Sequence, residues 1–271
     1  MPAATEWEAI ASRHRSKQQQ NIPPEWRLPD DQLAKLQGKG TTEEGRLIAR
    51  DVAQKSALLT EKELGITGNY NARELLDKIH QKELTSEEVA VAFCKRAALA
   101  QQLTSCLTEI FFDEGITRAR ELDQHFKRTG ELLGPLHGLP ISLKDSFVIK
   151  DHYATVGYVE FLKRPLPTSN SAMVDLLVDA GAVLYCKTNV PQTMMTADSE
   201  NNIFGRTLNP HKTNLTAGGS TGGEGALVAF RGSILGVGSD IAGSIRIPSL
   251  CCGIYGFKQL PSRLIFLGIC C

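Results

Sequence analysis

The chain has 271 residues, enough for one large domain or two small ones with a substantial buried core. Lys+Arg and Asp+Glu both number 30, so the formal net charge is zero, which argues against an electrostatic nucleic-acid binder. No apolar run reaches 18 residues and the first 20 are polar, so neither a membrane span nor a signal peptide is expected and a cytoplasmic setting is the default. The seven cysteines are odd in number and irregular in spacing, without a C-x-x-C pair. They read as reduced, mostly buried thiols rather than as zinc ligands.

In chain order, residues 1–60 are mostly polar and read as an arm lying on the main body. A helix begins near Trp7, and Trp7 and Trp26 lend a small share to the core. Residues 35–41 form an exposed connector. Asn71 is placed to cap a helix through Leu75, Leu76 and Ile79. Thr85-Ser86-Glu87-Glu88 is a capping box. Behind it Val89, Ala92, Phe93, Ala97 and Ala100 recur at helical spacing and predict a buried stripe. His80, at a helix end, reads as dipole-facing or solvated. Leu107 to Phe112 suits a short strand. Gly115 to Lys127 suits a helix with Arg118, Arg120, Glu121 and Asp123 on a solvated face.

Ile141 to Leu143 reads as a buried strand with Lys144 at its end, a place where lysines usually snorkel to the surface. Burial there would disfavour the charged form. His137 reads as structural. Ser171 to Ala180 predicts a helix stopped by Gly181, with a strand from Ala182 to Cys186 after it. That order suggests an α/β fold with helices packed on a sheet. The loop after the strand carries Met194 and Met195, which suit either core filling or a site at a strand end.

The most informative stretch is Gly218 to Gly256, in which 11 of 39 residues are glycine. Such a density marks tight turns and close backbone approaches. The local reading is loop, short helix over Ala226 to Phe230, strand over Ile234 to Val237, then a second loop. Loops lined by free N–H groups suit phosphate binding or an oxyanion hole beside a nucleophile. Phosphate is disfavoured, because Gly223-Glu224-Gly225 lacks the lysine of a phosphate loop and Glu224 would repel the anion. Ser220 and Ser244 each follow a glycine, and spacing alone leaves catalysis and a structural turn both open.

Three ordered pieces carry a resemblance. Gly138-Leu139-Pro140-Ile141-Ser142-Leu143-Lys144-Asp145, Gly218-Gly219-Ser220-Thr221-Gly222-Gly223-Glu224-Gly225-Ala226 and Gly238-Ser239-Asp240-Ile241-Ala242-Gly243-Ser244-Ile245-Arg246 resemble the signature of the amidase signature family of serine hydrolases. The resemblance runs from about Ile22 to Arg263 and is nearest to the fungal acetamidase-like branch, with Ile22-Pro23-Pro24-Glu25-Trp26 as its amino-terminal mark. It implies a central mixed β-sheet flanked by helices, of which residues 61–271 supply the amino-terminal part. The sheet would therefore be incomplete and its edge prone to aggregation.

By the same resemblance Ser244 is the nucleophile, Ser220 relays its proton and follows a cis peptide bond, and neutral Lys144 is the base. The N–H groups of Ile241, Ala242, Gly243 and Ser244 form the oxyanion hole, and the Met194 carbonyl faces the substrate. Asp240 and Arg246 fix the loop. Thr221 and Ala242 depart from the family's commoner serine and glycine, and Ala242 can still donate its N–H. The implied reaction is hydrolysis of a small carboxylic amide through an acyl-enzyme, with no metal or organic cofactor. A homodimer is compatible with it. The competing expectation is a truncated, inactive fragment or a noncatalytic binding product, since the apolar end from Leu264 to Cys271 would be expected to continue into a core. A transamidase-type subunit feeding ammonia to a partner is a third expectation, against which the fungal-like amino terminus argues.

Overall fold

The computed structural model describes residues 5–38 and 43–259. The expected apolar carboxyl end, with Cys270 and Cys271, lies outside the described residues, as does part of the 35–41 connector. The polar arm contains α1 (Glu6–Gln20), α2 (Asp30–Gln37) and the single turn α3 (Val52–Lys55). Only one stripe of α1 is buried, at Ala11, His14 and Gln18. Trp26 joins the core, but Trp7 is 44% exposed. Trp7 keeps the spacing of that stripe but stands in the first turn of α1, where the end of the helix leaves it open to solvent.

Strong local signals build the next elements. Thr60, Asn71 and Thr85 each cap a helix through a complete capping box. The helices are α4 (Glu61–Asn69), α5 (Ala72–His80) and α6 (Ser86–Thr104). Val89, Ala92, Phe93, Ala97 and Ala100 of α6 are all fully buried. Strand β1 (Leu107–Ile110) is shorter than its apolar run. Phe112 instead opens α7 (Phe112–Thr129), because Asp113 and Glu114 follow at once and favour a helix N-terminus. Asp123 is not simply solvated. Its carboxylate accepts from the Ser86 and Glu87 N–H groups at 2.8 and 3.0 Å and caps α6 from across the interface.

Strands β2 (Pro140–Lys144) and β3 (Val183–Thr188) are buried along almost their whole length, as strands covered on both faces must be. Between them α8 (Ala172–Asp179) ends at Gly181, which has φ +88°. The pair β4 (Glu200–Asn201) and β5 (Gly205–Arg206) forms a small separate ribbon. The glycine-rich stretch then supplies α9 (Gly222–Ala229), β6 (Leu235–Val237) and α10 (Arg246–Cys252). The main sheet has the order β1-β3-β2-β6. β2 runs parallel to both neighbours and β1 antiparallel to β3, so the fold is α/β with a mixed sheet. Helices α6, α7 and α9 pack against it. Among the described residues no helix is long and apolar enough to cross a membrane.

Candidate active site

Lys144 ends β2, and its side chain does not snorkel outward: the residue is 1% exposed. Its Nζ donates to Ser220 Oγ at 2.7 Å and to Ser239 Oγ at 3.0 Å. Ser220 lies in the turn before α9, behind a cis Gly219–Ser220 peptide. The segment between β3 and β4 holds that turn in place. The Gly222 N–H donates to Ser199 Oγ at 3.0 Å and the Gly223 N–H to Asn189 O at 3.0 Å. These bonds satisfy donors that a helix N-terminus otherwise leaves orphaned. A Cβ at Gly223 would overlap the Asn189 backbone, so only glycine lets the helix start this close to the end of β3.

Ser244 reaches the same place from the other glycine loop. The Thr221 N–H donates to Ser244 O at 3.2 Å, which sets the two loops side by side. Ser244 is half-buried. Its Oγ makes no hydrogen bond to any described residue, so the bond from Lys144 to Ser220 is formed and a bond from Ser220 to Ser244 is not. Ser239, which precedes Asp240, was visible in the sequence only as one more serine after a glycine, yet it is the second hydroxyl on Lys144.

Asp240 organises the loop around Ser244. Its side chain is fully buried and accepts from the N–H groups of Gly243, Ile245 and Arg246 at 2.8, 3.0 and 3.2 Å. The Arg246 guanidinium adds two bonds at 2.9 and 3.0 Å. Arg246 first, and then the backbone donors, hold the Asp240 carboxyl well below the usual carboxylate range. One expectation is corrected here: the Gly243 N–H is committed to Asp240 Oδ1 and is not a free oxyanion donor. The N–H groups of Ile241, Ala242 and Ser244 carry no such bond among the described residues. Gly243, not Ala242, takes the positive φ of +131°, so the methyl of Ala242 is accommodated.

Met194 and Thr193 both have positive φ, +57° and +70°, in the turn after Pro191. Met195 is 83% exposed, which rules out core filling for it; Met194 is half-buried. His137 is fully buried at the opposite end of β2 from Lys144, where its Nδ1 accepts from the Leu133 N–H at 3.0 Å. His80 closes α5. Neither histidine takes part in the Lys144–Ser220 contact. A groove of about 620 Å³ runs along β6, lined by Val228, Leu235, Val237, Ile245, Pro248 and Phe257 among others. The described residues contain no cluster of His, Cys, Asp and Glu that could hold a metal ion, and their cysteines are free thiols.

A buried carboxylate, which the sequence marks only as a bar to phosphate, lies near the Lys144–Ser220 pair. Glu224, in the first turn of α9, is 4% exposed. It accepts from Ser142 Oγ of β2 at 2.6 Å and from Thr188 Oγ1 of β3 at 3.0 Å. Burial pushes its carboxyl up to about 7, against the lowering effect of the two hydroxyls and of Lys144.

Comparison with known proteins gives a consistent result. Residues 88–266 match the Amidase family profile. An amidase of Gibberella moniliformis is 47% identical over 97% of this chain and 48% of its own length. An acetamidase of Emericella nidulans is 44% identical over 95% of this chain and 44% of its own length. The solved structure of a fatty acid amide hydrolase superposes with a TM-score of 0.88 at 40% identity, covering 98% of this chain and 45% of that one. The chain spans about half the length of the curated relatives it matches.

Proposed function

The chain belongs to the Amidase family, and from that premise we propose that it hydrolyses a carboxylic amide through a Ser–Ser–Lys relay. The observation that carries this reading is the 2.7 Å bond between buried Lys144 and Ser220, with Ser244 on the adjoining loop. Neutral Lys144 takes the Ser220 hydroxyl proton as Ser220 takes that of Ser244. Ser244 Oγ forms a bond to the amide carbon. The N–H groups of Ile241, Ala242 and Ser244 receive the oxyanion, each contributing roughly 10²–10³ in rate. The C–N bond then breaks while the relay returns a proton to the leaving amine. Water, deprotonated by the same relay, cleaves the acyl–Ser244 ester and releases the acid. The chemistry draws only on side chains and backbone donors.

Small aliphatic amides are the favoured substrates, since acetamidases of two fungi are 44% and 42% identical to the chain. Ser244→Ala is expected to abolish both ammonia release from acetamide and labelling by a serine-directed phosphonate. Lys144→Ala is expected to lose about 10²–10⁴ in rate while keeping its circular-dichroism spectrum. Activity that survives in Ser244→Ala would overturn the nucleophile. The unformed bond between Ser220 and Ser244 favours a second reading, a noncatalytic member of the family. Stoichiometric labelling of the wild-type chain removes that reading, and no labelling establishes it.

A further inference from the structure

Ser142 and Lys144 are alternate residues of β2 and so share a face. Ser220 and Glu224 are four residues apart, across the turn that opens α9. The bonds from Lys144 to Ser220 and from Ser142 to Glu224 are thus two rungs between the same strand and the same helix start. The second rung has a built seat. Gly236 of β6 stands in register with Ser142, and a Cβ there would overlap Glu224 Oε2. Ser142 Oγ is also within 2.8 Å of Ser233 Oγ, and Thr188 holds the other carboxylate oxygen.

We propose that Glu224 is a positioning residue for the Lys144–Ser220 pair, which its carboxyl group, seated over Ser142 and Gly236, keeps in register and whose charge it modulates. This rests on the relay proposed above. A buried carboxylate favours the ammonium form of a neighbouring lysine, whereas a neutral carboxylic acid does not. With a carboxyl that titrates at about 7, the brake on Lys144 is released below that pH and applied above it. The other titratable groups that feel Glu224 are Tyr185 and Cys186 of β3 and Cys106 before β1, all pushed up by burial. On α6, Cys94 acts on Tyr185 instead, and on α10 the Cys252 thiol donates to Ala217 O at 3.4 Å.

Two measurements test this on the full chain. In protein carrying ¹³C at lysine Cε, with the Lys144 signal assigned by its loss in Lys144→Ala, the shift is followed from about pH 5.5 to about pH 9. It is expected to show an inflection near 7, and Glu224→Gln, which keeps the shape and the acceptor oxygen, is expected to lack it. The same inflection in Glu224→Gln overturns the proposal. This readout needs no turnover, so it decides on Glu224 even if the wild-type chain proves unreactive and the amidase reading falls. The second measurement is the rate of phosphonate labelling at Ser244. Glu224→Ala and Gly236→Ala are each expected to slow it roughly 100-fold through misplacement of the pair. Removing the carboxyl relieves the overlap, so the double variant should be no slower than Glu224→Ala alone. Multiplicative losses, or a Glu224→Ala rate within about threefold of wild type, overturn the shared seat.

Discussion

At the scale of single residues, Asp240 has the most to hold in the catalytic loop. Five donors converge on one buried carboxylate, three of them backbone N–H groups that bracket Ser244. Arg246 is more than half exposed, so solvent screens its share, and the backbone bonds set the geometry. Asp240→Ala leaves those N–H groups unpaired, at a cost of about 2–3 kcal/mol. It should also swing the Ile241 and Ala242 donors away from the oxyanion position and slow phosphonate labelling by roughly 100-fold. Arg246→Ala should be much milder, because the three backbone bonds survive it. Denaturant unfolding and labelling of both variants check the ranking. Equal effects would mean that the guanidinium, not the backbone, fixes the loop. Asp240 and Arg246 were legible as loop-fixing groups from their place beside Ser244. Glu224 was not, because its partner Ser142 lies 82 residues away and nothing local marks the pairing.

At the scale of elements, helix α1 is fastened to the sheet by buried charge. His14 Nε2 lies 2.8 Å from Glu109 Oε1, a close polar contact rather than an aligned hydrogen bond. On the other side His152 sits 3.9 Å from Glu109 and 3.0 Å from Glu114, with its ring tilted against Phe111 at 4.2 Å between centroids. Burial alone would raise the Glu109 carboxyl, but the two histidines outweigh it and hold the group at about 2. Burial alone would lower His152, yet the two glutamates raise it to about 9. The signs fix a window. The Glu109 contribution is full above its ordinary 4.5 and is lost as pH falls through about 2. The His152 contribution is full below its ordinary 6.5 and is lost as pH rises through about 9. Amide exchange should therefore show α1 best protected between about pH 4.5 and 6.5, with protection falling toward pH 9. His14→Ala should lower it throughout. Flat protection across that range would mean that apolar contacts alone hold the arm. This fastening was invisible in the sequence for the reason that made α5 and α6 easy to read. Caps and stripes are local signals, whereas His14, Glu109 and His152 meet only once the sheet has formed.

At the scale of the whole molecule, the sheet is asymmetric. β1 and β6 each have a single partner strand among the described residues, but β1 is fully buried and bonded at Ile110 by Gln18 and Asn21, whereas β6 is not buried. The outer side of β6 is apolar and open. Leu235 is 41% exposed, and Leu250 and the groove-lining Tyr255 and Phe257 are each more than 80% exposed. A strand with free N–H and C=O groups beside exposed apolar side chains is a template for pairing with another copy. Natural edges are commonly blunted by lysine, and none stands on β6. The chain is therefore expected to self-associate as its concentration rises. Leu235→Lys should suppress this without slowing phosphonate labelling, because Leu235 pairs with Ile141, three residues before the lysine that meets Ser220. Light scattering against concentration, run beside the labelling assay, makes the comparison. Association unchanged by Leu235→Lys would move the sticky surface from the strand edge to the Leu250–Phe257 face. A labelling rate that fell with association would show instead that the edge and the site are one cooperative unit.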